Sequence, residues 1–264
     1  MEERTIDKGV SRRKFMLGTG TLALGAALSQ LGGVISKADA KEITAKQWPW
    51  PYEKLDPAKT AEIAYNEWYR IYCGGAVMNS IFSQLAEKVG EPYKSFPVDA
   101  FAVLYGGINE WGTVCGTLAG ANIASCLIIG PWMAGPKSEL GHVIGSNVME
   151  WYSTTNLPIY VPKNPKANKG KIIQTTSDSP LCHVSVGKWM KKSGYAFDSA
   201  ERKDRCARLA ASVAYKLAGD LNAWKDGKYH EEIKWFAPDS VHISSQQNCS
   251  DCHGSNIPSP PTKK

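Results

Sequence analysis

Three patterns predict a mostly α fold, a helical bundle followed by an irregular C-terminal segment. Ala61, Ala64, Trp68, Ile71, Gly75, Met78, Phe82, Leu85 and Val89 recur at three- and four-residue steps, as on the buried stripe of a long helix. Helix-start signals stand at Asp56-Pro57 and at Asp198-Ser199-Ala200-Glu201. Beyond residue 228 no periodic apolar pattern remains and the chain closes in Pro, Ser and Lys.

Taken in order, the first element is a targeting segment. Ser11-Arg12-Arg13-Lys14-Phe15-Met16 leads an uncharged Gly/Ala/Leu stretch, Leu17 to Ile35, and Ala38-Asp39-Ala40 offers the small residues a signal peptidase accepts. Residues 1–40 are therefore expected to be a twin-arginine signal peptide, with export to the periplasm and no membrane span left after cleavage at Lys41. Residues 41–227 form the predicted bundle. Trp48-Pro49-Trp50-Pro51-Tyr52 opens it as an extended lead-in, because each proline fixes φ and steers its predecessor away from helix. The long helix then runs from Asp56-Pro57 to Gly90 with Cys73 midway. Val98 to Tyr105 reads as a second helical run. Trp111 to Ile129 reads as a small-residue helix whose Gly112, Gly116, Gly120 and Ala121 permit close neighbours. Another helix is expected over 137–152, and Leu157 to Gln174, with three prolines, as a loop or small hairpin. A capped helix carries Cys206, Leu209, Val213, Leu217 and Leu221 and stops at Gly227; residues 228–264 form the tail.

A chain of 264 residues can bury a core without disulfide staples, and a formal charge of +6, spread along the sequence, is too mild to imply nucleic acid. Seven cysteines cannot all pair internally, so at least one sulfur has another task.

Cys249-Ser250-Asp251-Cys252-His253 supplies that task. In a CxxCH the two thiols add to the haem vinyl groups while the adjoining histidine reaches the iron, so His253 is the expected proximal ligand and residues 228–264 the haem-binding segment. A redox disulfide or half a zinc site would need a βαβ context or a second ligand pair, and neither is evident. His242, upstream in the same tail, and His183, after Cys182, are both candidates for the sixth iron ligand. His142 is better read as a packed residue and His230, beside two glutamates, as a surface one. Ser179-Pro180-Leu181-Cys182-His183 is a CxxCH with serine first, which leaves open a second haem on a single thioether or Cys182 as an iron–sulfur ligand. Cys73, Cys115, Cys126 and Cys206 fall on predicted helices, where facing thiolates could hold a cluster and buried inert thiols are the alternative. Twin-arginine transport carries folded proteins, so a cluster loaded before export would account for that route.

Several segments together resemble the split-Soret cytochrome c group and the wider redox proteins with a Cys-Gly-Cys-Ala…Gly…Cys…Cys pattern. They are Cys73-Gly74-Gly75-Ala76, Gly106-Gly107-Ile108 through Trp111-Gly112-Thr113-Val114-Cys115-Gly116, Ser179 to Val186, and the terminal CxxCH. Gly75 stands where that pattern has its second cysteine, and Met190 where a further one is expected. The resemblance implies a mostly helical periplasmic homodimer, haems close together near the subunit interface, bis-histidine ligation with His183 as first choice, and an iron–sulfur centre involving Cys73, Cys115 and Cys182.

The expected protein is thus a periplasmic c-type cytochrome, more an electron carrier than a catalyst, with one haem c per chain on Cys249, Cys252 and His253. A second haem and an iron–sulfur cluster stay open as cofactors. Redox proteins and a second copy of the chain are its expected partners. A haem-containing redox enzyme acting on a small molecule is the alternative.

Overall fold

Asp56 starts the first helix as its sequence position requires: the carboxylate accepts the amides of Ala58 at 2.8 Å and Lys59 at 3.4 Å, with Pro57 in the first turn. The structure, a computed structural model, describes residues 47–135, 139–168 and 170–232. Among these the fold is mostly α: α1 (Pro57–Val89), α2 (Gly116–Ile129), α3 (Glu139–Thr154), α4 (Cys182–Ser193) and α5 (Ala200–Lys225), with 3₁₀ turns at Val98–Val103 and Trp132–Ala134. Ser199 caps α5 by accepting the Arg202 amide at 3.2 Å. No strand occurs among the described residues, only two isolated antiparallel bridges, Val114 with Leu181 and Leu157 with Thr175.

The long helices α1 and α5 lie against each other, and α2 packs on both α1 and α3. Ala207, Ala210, Ala211, Ala214 and Ala218 on α5 are buried, so small side chains let its axis approach α1 closely. The α1–α2 approach is also close. A Cβ on Gly74 would stand 2.5 Å from Leu104 Cβ and 2.7 Å from the Gly116 carbonyl, so only glycine fits there. Length and composition alone would let Gly116–Ala134 cross a bilayer, but half of that window is buried in the bundle, the placement of a core helix.

The aromatic lead-in is tied down at both ends. Trp50 donates its amide to the Ile128 carbonyl at 2.7 Å, and the Leu55 backbone exchanges two hydrogen bonds with the Asn222 side chain at 3.0 and 2.7 Å. The predicted loop after α3 is a loop, pinned to α5 where Ser212 Oγ accepts the amides of Ile159 and Tyr160.

Three elements differ from the expectation. The long helix is kinked, with Ile71 and Tyr72 out of helical geometry immediately before Cys73. Val98–Val103 is a 3₁₀ turn, too short between Pro97 and the glycines to propagate an α-helix. The helix expected from Trp111, α2, begins at Gly116 instead, because Gly112 takes φ +70° and the residues after it pair with the segment before α4.

Asp204 anchors the far side of the bundle. Its carboxylate accepts from Tyr65 at 2.6 Å, Tyr69 at 2.8 Å and Arg208 Nε at 2.6 Å, and Arg208 in turn donates to the carbonyls of Asn168 and Gly170. The two charged side chains are 0% and 5% exposed. Removing one partner leaves a buried unpaired charge, so Asp204→Ala should cost about 3–5 kcal/mol in a denaturant titration; a loss below 1 kcal/mol would refute the anchoring role.

Candidate functional site

Two helix N-termini are spliced together at the centre of the molecule. Residues 112–115 run antiparallel to 180–183: the Cys115 amide donates to the Pro180 carbonyl at 2.8 Å, Cys182 to Thr113 at 2.7 Å and His183 to Gly112 at 3.4 Å. Cys115 is the N-cap of α2 and Cys182 the first residue of α4, so both thiols sit where the helix dipole favours negative charge. From the kink in α1 comes Cys73, whose Sγ accepts the Trp68 indole N–H at 3.4 Å. Cys206 on α5 completes a group of four. All are buried free thiols close enough to perturb one another's ionisation.

Their ionisation is unequal. Cys115 is pushed down to about 5 by the hydrogen bond from Cys182, against the effect of burial, with further hydrogen bonds from Thr117 and Tyr152. Cys182 moves up, first because it holds the proton it shares with Cys115 and then through burial. Burial, with the like charges of Cys206 and Cys115, pushes Cys73 up to about 12 despite the Trp68 donor. Around the thiols, Ser185 Oγ lies 2.8 Å from both Tyr152 Oη and Arg205 Nη2, and Arg205 Nη1 is 3.9 Å from Cys206 Sγ. A cavity of about 330 Å³ opens beside the group, lined by Cys73, Cys182 and Cys206 with Trp68, Tyr72 and Arg202.

The predicted residues thus divide. Cys73, Cys115 and Cys182 lie close together and Cys206 joins them, where the resemblance had implied a further cysteine at the Met190 position. Cys126, on the far part of α2, stands apart, its thiol pushed up by burial. His183 points outward beside the thiols, with Nδ1 2.7 Å from the Gly112 carbonyl. A carbonyl only accepts, so Nδ1 is the donor in that bond. His142 is exposed rather than packed, and His230 is exposed as expected. His242, Cys249, Cys252 and His253 lie outside the described residues.

The model of the redox-active protein family denoted C_GCAxxG_C_C matches residues 73–219, the span that contains all four thiols. A curated relative, the split-Soret cytochrome c of Desulfovibrio desulfuricans, is 35% identical over 256 residues, covering 92% of this chain and 87% of the relative.

The chain belongs to this split-Soret cytochrome c family of redox-active proteins.

A solved structure of the Desulfovibrio cytochrome, described as revealing a novel iron centre, superposes with a TM-score of 0.65 at 35% identity, over 77% of this chain and 81% of that one. The family pattern thus falls on the helix starts and the kink that gather Cys73, Cys115 and Cys182.

Iron-free, reduced protein should hold Cys115 as a thiolate at neutral pH. Its folded value of about 5 lies below the ordinary 9.0, so its stabilisation is complete above the ordinary value and is lost as pH falls through about 5. Thiolate ultraviolet absorbance at neutral pH should be present in the wild type and lost in Cys115→Ser; equal absorbance in both would contradict the assignment.

Proposed function

We propose that the chain is an exported c-type cytochrome that transfers electrons between redox partners through two centres. One is a haem c joined to Cys249 and Cys252 with His253 on its iron, and the other an iron–sulfur cluster on Cys73, Cys115 and Cys182 with Cys206 as fourth ligand. The convergence of four buried cysteines from four separate helical segments carries this reading. Membership of a redox-active family and the iron centre described for the Desulfovibrio relative support it.

The residues present fit such a cluster better than a single ion. Among the described residues no three His, Cys, Asp or Glu side chains gather tightly enough for one metal ion. A cluster spreads its irons and bridging sulfides over several corners, so its thiolates stand further apart, and the adjoining cavity provides room. Arg205, whose Nε is buried without a hydrogen-bond partner and whose Nη1 is 3.9 Å from Cys206 Sγ, also calls for negative charge beside the thiols.

Haem and an iron–sulfur cluster each supply a one-electron store. What the chain adds is environment. Cys115 is already ionised and needs no strong base to become a ligand, and the Trp68 N–H on Cys73 Sγ draws charge from that sulfur, which favours the reduced state. With Nδ1 bonded to the Gly112 carbonyl, the exposed His183 would offer its Nε2 to the haem iron, ahead of His242. On this arrangement Ser179 to His183 gives its thiol to the cluster and its imidazole to the haem, with one haem per chain. Export through Arg12-Arg13, a periplasmic location and a homodimer complete the proposal. The twin-arginine route suits a bundle that must close around its cluster before crossing the membrane.

The cavity beside Cys73, Cys182 and Cys206 favours a second reading, a redox enzyme acting on a small molecule there or at an open haem face. Carbon monoxide binding by the reduced protein would support it.

The deciding experiment is total iron against covalently bound haem in anaerobically purified, exported protein. One haem and a two-iron cluster give a ratio of about three, a four-iron cluster about five, and haem alone about one. A ratio of about one removes the cluster; haem lost on acid–acetone extraction removes the c-type attachment. Cys249→Ala with Cys252→Ala should abolish covalent haem while leaving the non-haem iron, and Arg12→Lys with Arg13→Lys should keep the precursor in the cytoplasm.

A further inference from the structure

Two arginines lie on the buried face of α5, and they are treated differently. Arg208 has its carboxylate, Asp204, at 2.6 Å. Arg205, only 1% exposed, has none: among the described residues it forms no ion pair, its Nη2 reaches the neutral Ser185 Oγ at 2.8 Å, and its Nε has no partner. The carboxylate next to it in sequence is already engaged by Tyr65, Tyr69 and Arg208. A guanidinium does not shed its proton in a protein, so Arg205 stays charged in a site where an uncompensated charge is strongly unfavourable. The nearest group that can hold negative charge is the Cys206 thiol, 3.9 Å from Arg205 Nη1.

We propose that Arg205 is the fixed counter-charge of the four-thiol centre, a positioning residue that holds net negative charge among Cys73, Cys115, Cys182 and Cys206 and raises the reduction potential of the iron bound there. This rests on the iron–sulfur reading above. On reduction one electron passes from the donor, here a chemical reductant, to the centre. No bond to Arg205 forms or breaks and it exchanges no proton. The added negative charge lies beside a buried positive one, so the reduced form gains more than the oxidised form.

The test is a redox titration of the exported, full-length holoprotein, with the non-haem centre followed by electron paramagnetic resonance and the haem followed optically as an internal control. Arg205→Gln keeps a donor for Ser185 without charge, Arg205→Met removes both, and Arg205→Lys keeps the charge. Because no carboxylate is orphaned, an apolar side chain of similar length should be accommodated. Both neutral variants should shift the oxidised-to-reduced equilibrium of the non-haem centre at least tenfold toward the oxidised form, about 59 mV for one electron. Lysine should restore most of that shift, and the haem should move less. A shift in Arg205→Met alone, with Arg205→Gln like the wild type, would mean a packing role and overturn the proposal, as would an unchanged potential in both. Wild-type protein without non-haem iron would instead remove the iron–sulfur reading itself, a result visible before any variant is made.

Discussion

The backbone pairing of residues 112–115 with 180–183 is the constraint on which the rest of the centre depends. Its inter-segment amide–carbonyl hydrogen bonds join a strand-like turn before α2 to the turn before α4, and in doing so set Cys115 against Cys182. The same pairing fixes where α4 starts, and because successive helical residues turn by about 100° about the axis, His183 is aimed away from the thiols while staying next to them. One short backbone pairing therefore leads into a helix whose first two residues face differently, a thiol inward and an imidazole outward. A helix running through from Trp111 would have carried Cys115 on a cylinder and consumed both the Cys115 amide that now binds Pro180 and the Gly112 and Thr113 carbonyls that now accept from His183 and Cys182.

Charge explains why the centre sits against α5 rather than elsewhere in the bundle. The helix places Asp204, Arg205 and Arg208 on its buried side, and the Asp204–Arg208 pair is satisfied locally by two tyrosines and two loop carbonyls. That closure matters for Arg205, since it removes the nearby carboxylate and leaves the thiols as the source of compensating charge. Structure and electrostatics are thus partitioned along a single turn of helix: one arginine holds the loop, the other faces the sulfur atoms.

The bundle was largely legible in the sequence because its helices begin at residues with a local reason to begin them. Asp56 and Ser199 act as caps through their own side chains, and apolar periodicity located α1 and α5 to within a residue or two. The site was most legible at Cys73 and Cys115, where glycine follows the cysteine, and at Cys182, where His183 follows it. Cys206 was a candidate cluster thiolate on the same footing as Cys126, and nothing in its spacing marks it as the one that joins the group, since all four thiols come from distant parts of the chain. A signal was nevertheless present. Two arginines flank Cys206 on a stripe that also carries Leu209 and Val213, and a cation on a core-facing stripe needs an anion. The kink at Tyr72 was not legible, because it is imposed from outside α1: the Gly74 amide leaves the helical ladder to bond the Leu104 carbonyl at 2.9 Å.

That kink shows how the fold sustains an unfavourable local geometry for the sake of the centre. Tyr72 has φ 56° and ψ −158°, a region close to glycine's preserve that costs a larger residue about 1–3 kcal/mol. The ring is held from both sides, edge-on to Trp68 at 5.7 Å and tilted against Tyr105 at 5.4 Å, and Trp68 is the residue that donates to Cys73 Sγ. Straightening α1 would relieve Tyr72 but would carry Cys73 off the thiol group and bring Gly74 out of its contact with Leu104 and Gly116. The strained residue, the sulfur donor and the tightest backbone approach in α1 therefore lie within seven consecutive residues. Strain is maintained there because α2, the Leu104 turn and α5 together over-determine where Cys73 must be.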